Sequence, residues 1–229
     1  MKNDRSGTLV LLACHCVYDP EKNEIYTDKP QFVNDRPVYE AHIDYAFRHL
    51  RLCTNWDQDS DPLLVISGGF TKKQRHCSES RSYVELARHM GLSIPENIAL
   101  EEFALTSIEN LLLSLYVYNE ARGFFPKTID VISWEFKRKR FKKTLKAIND
   151  WPKLGQRWRG LEYFPTGDLR RKERQFVIKH KEKSYIESLK QGLSGYYENK
   201  QTIDTIERRD VHDSRDQARK RYEKYPLPF

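Results

Sequence analysis

Polar residues able to bind ligands or move protons recur in this chain where apolar runs end. Cys14-His15-Cys16 follows Thr8 to Ala13, and Ser67-Gly68-Gly69-Phe70-Thr71-Lys72 follows Leu63 to Ile66. Ser78-Glu79 comes next, Glu101 closes Ile98 to Leu100, Thr106-Ser107-Ile108-Glu109-Asn110 precedes an apolar helix, and Ser133 leads into a basic run through Arg138 and Arg140. Strand ends and the loops after them converge on one crevice in an open parallel sheet. His15, Gly68, Glu79, Glu101, Asn110 and Ser133 are therefore expected to border one cavity. Gly68 and Gly69 would let backbone N–H groups approach a phosphate or carboxylate, with Thr71 and Lys72 completing the cradle. Arg138 and Arg140 would balance the ligand's charge. His15, Glu79, Glu101 and Glu109 are the candidates for proton handling, and Ser78, Ser107, Asn110 and Ser133 for ligand hydrogen bonds.

The same residues also have ordinary structural uses. A Gly-Gly pair serves as a plain turn, and the loop fits neither G-x-G-x-x-G nor the Walker pattern. Thr106 to Glu109 has capping-box spacing, as has Ser82 with Glu85, and Ser78 sits at a helix start. No Ser-His-Asp order and no G-x-S-x-G motif is present. In the run Lys137 to Lys143 the cations open a helix, where each opposes the positive end of the dipole by roughly 0.3–1 kcal/mol. A bound anion would relieve that conflict, and a solvated basic face with Glu135 as partial offset would also accommodate it. On the first reading, Arg138 and Arg140 serve binding rather than folding. Cys14, Cys16, His76 and Cys77 lack a C-x-x-C pair or an H-E-x-x-H helix, so no metal is expected on them.

Elements that would position these residues alternate along the chain. Thr8 to Ala13 reads as a strand, then a polar loop with Pro20, Pro30 and Pro37 leads to a helix carrying Val38, Ala41, His42, Tyr45, Ala46 and His49. Leu63 to Ile66 is a short buried strand. A helix with Tyr83, Leu86, Ala87 and Met90 on one face stops at Gly91. Ile98 to Leu100, Ile129 to Ile132 and Leu161 to Phe164 read as further strands. Helices bearing Ile108, Leu111, Leu112, Leu115 and Tyr118, and then Phe141, Leu145 and Ile148, separate them. Such alternation predicts an α/β fold with a mostly parallel sheet covered on both faces. Beyond it, Lys183 to Leu193 and Ser214 to Tyr225 read as helices, with a turn expected over Gly192 to Lys200. Their tyrosines require cover from the sheet domain. The boundaries are 1–168 for the α/β domain and 169–229 for a C-terminal helical extension.

The chain has 229 residues, 38% hydrophobic and 32% charged, with a formal net charge of +7. That composition suits a soluble globular protein with anionic partners. No apolar run reaches bilayer-spanning length. Four cysteines are too sparse for a secreted disulfide scaffold, which predicts a cytoplasmic protein with reduced thiols.

In order and spacing, the Gly-Gly loop before Ser78-Glu79, the Leu100-Glu101 turn, Ser107-x-Glu109-Asn110, and the strand ending at Ser133 before Arg138 and Arg140 resemble the YdcF/SanA/ElyC-like family (domain of unknown function 218). The resemblance covers roughly residues 8 to 148. The S-W-E-F-K-R-K-R-F form and the long C-terminal extension look closer to eukaryotic, fungal-type members. It implies a Rossmann-like three-layer domain with a polar pocket at the strand C-termini, and S-adenosylmethionine as a candidate ligand. Trp134, Glu135 and Phe136 stand where bacterial members usually have a histidine, and Thr106 where an asparagine is common. The expected function is binding of a nucleotide-like or phosphorylated small molecule, with hydrolysis or group transfer as the enzymatic option. The alternatives are a non-enzymatic nucleotide-binding module, and an RNA-binding protein using Lys137 to Lys143 and Arg170 to Arg174.

Overall fold

A computed structural model describes residues 7–27, 35–56, 61–72, 77–158, 160–165, 182–210 and 212–229. Strand β1 (Thr8–Ala13) is followed by a small antiparallel hairpin, β2 (Val17–Asp19) and β3 (Glu24–Tyr26), and by helix α1 (Arg36–Trp56). Then come β4 (Leu63–Ser67), α2 (Glu79–His89), β5 (Ile98–Glu101), α3 (Ser107–Arg122), β6 (Thr128–Ser133), α4 (Arg138–Asn149) and β7 (Glu162–Pro165). C-terminal to these, residues 182–188 form helix α5, followed by α6 (Gly192–Glu198), α7 (Lys200–Arg209) and α8 (Ser214–Arg221).

Five strands make one parallel sheet in the order β5-β4-β1-β6-β7. Counted along the chain this is 3-2-1-4-5, the doubly wound Rossmann order. The reason is visible in the strands. Leu9, Leu11, Val65, Ile129 and Val131 pack with α3 and α4, whereas Val10, Leu12, Leu64, Ile66 and Ile132 pack with α1 and α2. Both faces are apolar, so both need helices, and the alternation produces a three-layer sandwich. The winding direction reverses between β1 and β6, which opens a crevice beyond their C-terminal ends.

Local chemistry sets the helix ends at this rim. Ser78 caps α2 by accepting from the Arg81 N–H at 3.1 Å, and Thr106 caps α3 by accepting from the Glu109 N–H at 3.3 Å. Gly123, at φ +77°, closes α3 in the left-handed conformation that glycine adopts without strain. Ser82 lies inside α2 and donates to the Glu79 carbonyl at 2.8 Å.

Three parts differ from the sequence expectation. The polar stretch after β1 contains the β2–β3 hairpin, whose three-residue strands are too short to leave a periodic signal. Gly192–Glu198, expected as a turn, is helix α6. Gly192, at φ +80°, joins it to the 3-10 turn before it. Helix α7 was not expected and is capped by Asn199, which accepts from the Gln201 N–H at 3.0 Å. The boundary at residue 168, the segment Arg170 to Arg174, His76 and Pro30 lie outside the described residues. No described helix is long and apolar enough to cross a membrane.

Candidate functional site

A cavity of about 120 Å³ opens at the reversal point. His15, just beyond β1, and Phe136 and Lys137, just beyond β6, line it side by side. Glu79 and the α3 opening, Thr106, Ser107 and Asn110, line the floor. Arg140 from α4 and Glu182, Tyr185, Tyr196, Thr205, Arg208 and Arg209 from the C-terminal helices close it. Four basic side chains, Lys137, Arg140, Arg208 and Arg209, therefore face the carboxylates of Glu79 and Glu182, with His15 in addition.

Lys137 is the centre of this arrangement. Its Nζ lies 3.3 Å from His15 Nδ1, and the residue is only 6% exposed. Burial, together with the cations of Arg140 and Arg209, pulls its amine down from 10.5 to about 7, against the opposing influence of Glu79 and Cys14. The His15 backbone is fixed from behind, where its N–H donates to the Tyr83 hydroxyl at 3.2 Å. Arg140 donates to Ser107 Oγ at 3.0 Å and forms an ion pair with Glu182, while its guanidinium stacks 4.5 Å from the Tyr185 ring. Burial lowers the pKa of Arg140 too. Arg209 donates to the Leu105 carbonyl at 2.7 Å, which ties α7 to the loop before α3.

Behind the floor stands a buried polar network that holds β4, β5 and α3 together. Glu101 accepts from Ser67 Oγ at 2.6 Å, the Phe103 N–H at 2.7 Å and the Ala104 N–H at 3.0 Å. Asn110 donates to the Ser67 carbonyl at 3.0 Å and to Ser67 Oγ at 2.8 Å. Desolvation pushes the Glu101 carboxyl up to about 7 although these donors pull it down. Glu109 accepts from the Leu105 N–H at 2.7 Å and pairs with Arg215 at 3.3 Å. Burial raises its pKa against that pairing.

Of the residues selected from sequence, His15, Glu79, Ser107, Asn110 and Arg140 line the cavity. The remainder stand elsewhere. The Gly68 N–H donates to the Glu101 carbonyl at 3.0 Å and the Gly69 N–H to the Ala104 carbonyl at 2.8 Å, so neither offers a free donor to an anion. These glycines instead allow close approach. A Cβ on Gly68 would meet those of Cys14 and Glu79 at 2.8 Å, and one on Gly69 the Phe103 backbone at 2.9 Å. Thr71 donates to Glu79 Oε1 at 2.5 Å, with Lys72 4.0 Å from the same oxygen, so both orient Glu79. Ser78 caps α2 and donates to Glu102 at 2.7 Å. Ser133 ends β6 behind the wall, and Glu101 and Glu109 are structural anchors. Arg138 points outward, where it forms a two-pronged pair with Glu135.

The sequence reading missed Lys137 as the inward cation and the whole contribution of the C-terminal helices. A signal for Lys137 existed: it lies four residues before the buried Phe141, on the row of the helix that faces the core.

Fold and site together define a doubly wound α/β protein with a cationic cavity at its reversal point. The chain is 33% identical over 211 residues, covering 71% of this chain and 70% of the relative, to the Uncharacterized protein YOR238W of Saccharomyces cerevisiae, and it belongs to that protein's family. No family model and no solved structure matches it.

Proposed function

We propose that this protein binds a small phosphorylated molecule, of nucleotide-like class, in the cavity between β1 and β6 and acts on it by hydrolysis or group transfer. One observation carries the reading: the buried Lys137 and the largely covered Arg140 stand beside Arg208 and Arg209 at the point where α/β proteins of this winding bind ligands. Four basic side chains converging on one concave site draw negative charge to it. Arg140, Arg208 and Arg209 would hold the anion's oxygens, since the guanidinium fork matches phosphate. His15 and Lys137 would exchange a proton with the attacking water or the leaving oxygen, and Glu79 would orient them.

The cavity volume is below the roughly 300–1,000 Å³ of drug-sized ligand sites. It admits a phosphate with a few further atoms, and a whole nucleotide would need the C-terminal helices to shift. A cationic lining also disfavours the sulfonium of S-adenosylmethionine, so the phosphate reading is preferred. Kinship with the YdcF/SanA/ElyC-like family belongs to the same proposal, supported by the gathering of Gly68, Glu79, Glu101, Glu109 and Asn110 around these strand ends. Cys14, Cys16, Cys53 and Cys77 stand outside any disulfide, which supports a reducing, cytoplasmic setting. RNA binding is less well supported, because Lys137 and Arg140 face inward.

Calorimetry of the full chain with inorganic phosphate and with AMP tests the reading. Binding of at least one is expected, weakened by about 1–3 kcal/mol in Arg208→Gln, the loss of one charge-assisted hydrogen bond. The proposal fails if neither probe binds, or if Arg208→Gln and Lys137→Met both bind as well as the parent.

A further inference from the structure

Metal-ligating side chains converge a second time, on the face of the sheet covered by α1. His49 and Cys53 stand one turn apart on α1, so their side chains share one row of the helix. Asp130 is the third residue of β6, and strand alternation places it on the same face as Ile132, toward α1. The three ligating atoms lie within 4.8 Å of one another, and among the described residues they form the one such group. His49 Nε2 is 2.8 Å from Asp130 Oδ2. The two side chains are 13% and 12% exposed, and Cys53 is a partly buried cysteine outside any disulfide. The imidazole is held between Tyr45, stacked at 5.8 Å and 13°, and Phe164 at 4.3 Å.

A carboxylate here is expensive. Its register partners are Val10 on β1 and the exposed Glu162 on β7, with Ile132 two residues on along the same face, so its charge is matched by the adjacent His49 rather than by the sheet. The cluster is also separate from the cavity, because Asp130 precedes Ser133 by three residues, about 10 Å along the strand.

We propose that His49, Cys53 and Asp130 bind one zinc-class divalent ion, with a water molecule as fourth ligand. A thiolate and an imidazole favour zinc over magnesium or calcium, and the carboxylate offsets the remaining charge. Bond lengths of about 2.0–2.3 Å place tetrahedral ligand atoms roughly 3.3–3.5 Å apart, so the 2.8 Å pair opens slightly around the ion. The ion would clamp α1 to β6 and thereby brace the strand that carries Lys137 at its end. This site does not depend on the phosphate reading.

The test uses the full chain, stripped with a chelator and reloaded with zinc alone or cobalt(II) alone. Expected are one zinc per chain retained through gel filtration, and a thiolate-to-cobalt charge-transfer absorption. Cys53→Ser should abolish that absorption and weaken zinc at least about tenfold, and Cys77→Ser should change neither. Asp130→Asn should weaken zinc comparably; if it fails to fold, Cys53→Ser decides. Zinc retained equally by Cys53→Ser, absence of stoichiometric zinc in the parent, or a cobalt absorption that disappears with Cys77 instead would overturn the assignment.

Discussion

Individual side chains show where residue type was informative and where direction was required. The basic run after Ser133 stood out in the sequence as a candidate for anion binding or a solvated face, but type alone could not separate Arg138, which faces solvent and pairs with Glu135, from Lys137, which faces the cavity. Arg138→Gln is therefore expected to leave phosphate affinity unchanged in calorimetry. Lys137 supplies a sharper prediction. Its folded pKa lies near 7, and an anion at the cavity would favour the charged amine and raise it. Affinity for sulfate, which does not itself titrate in this range, should be highest below pH 7 and fall as pH rises through the free-state value. Lys137→Met should flatten the profile; an unchanged fall in that variant would assign the titration to another group. Glu101 gives a linkage to folding rather than to binding. Its carboxyl is raised from 4.5 to about 7, so the folded state binds the proton more tightly than the unfolded one. Stability contributed by the protonated group is full below about 4.5 and is lost as pH climbs toward 7, by about 3 kcal/mol at most. Glu101→Gln should remove that segment of the stability profile in denaturant unfolding at several pH values.

At the level of elements, the sheet and its four flanking helices were legible because each carries a strong period or a defined stop. The strands β1, β4 and β6 are nearly continuous apolar runs, and α2 and α3 end at glycines with positive φ. Elements lacking those signals were missed. The β2–β3 hairpin is too short to show alternation, and α6 contains Gly192 and Gly195, which resemble turn residues in sequence. Gly195 is instead a close-packing position, where a Cβ would stand 2.3 Å from the Gln191 Cβ. The loop glycines illustrate the same ambiguity, since a phosphate cradle and a tight loop crossing call for the same residue. Gly69→Ala distinguishes the two. A methyl 2.9 Å from the Phe103 backbone forces β4 and the loop after β5 apart, at a cost of about 1–3 kcal/mol. Thermal unfolding should show this loss whether or not phosphate is present, whereas a pure cradle role would lower affinity and leave the melting temperature of the unliganded chain unchanged.

For the whole molecule, the decisive element is α3. Its residues from Ser107 to Tyr118 are all buried, so no face of the helix is left for solvent over that span. A helix buried all round needs cover on two sides. The sheet supplies one, through Leu9, Leu11 and Val65, and the C-terminal segment supplies the other. Tyr225 stacks on Tyr116 at 4.3 Å and 3° and donates to Asn119 at 2.6 Å, while Tyr222 and Tyr196 enter the same core. Arg215 reaches Glu109 at the opening of α3, and Arg209 reaches Leu105 just before it. The segment thus completes both the core and the cavity, which it roofs with Arg208 and Arg209. A chain ending at residue 181 would expose the outer side of α3 and leave the buried Glu109 without its cation. It should lose cooperative thermal unfolding and bind an apolar-surface dye, rather than persist as a folded α/β domain with an open cleft. A truncated chain that melts cooperatively within a few degrees of the parent would show instead that the sheet and four helices are self-sufficient, and that the C-terminal helices serve the cavity alone.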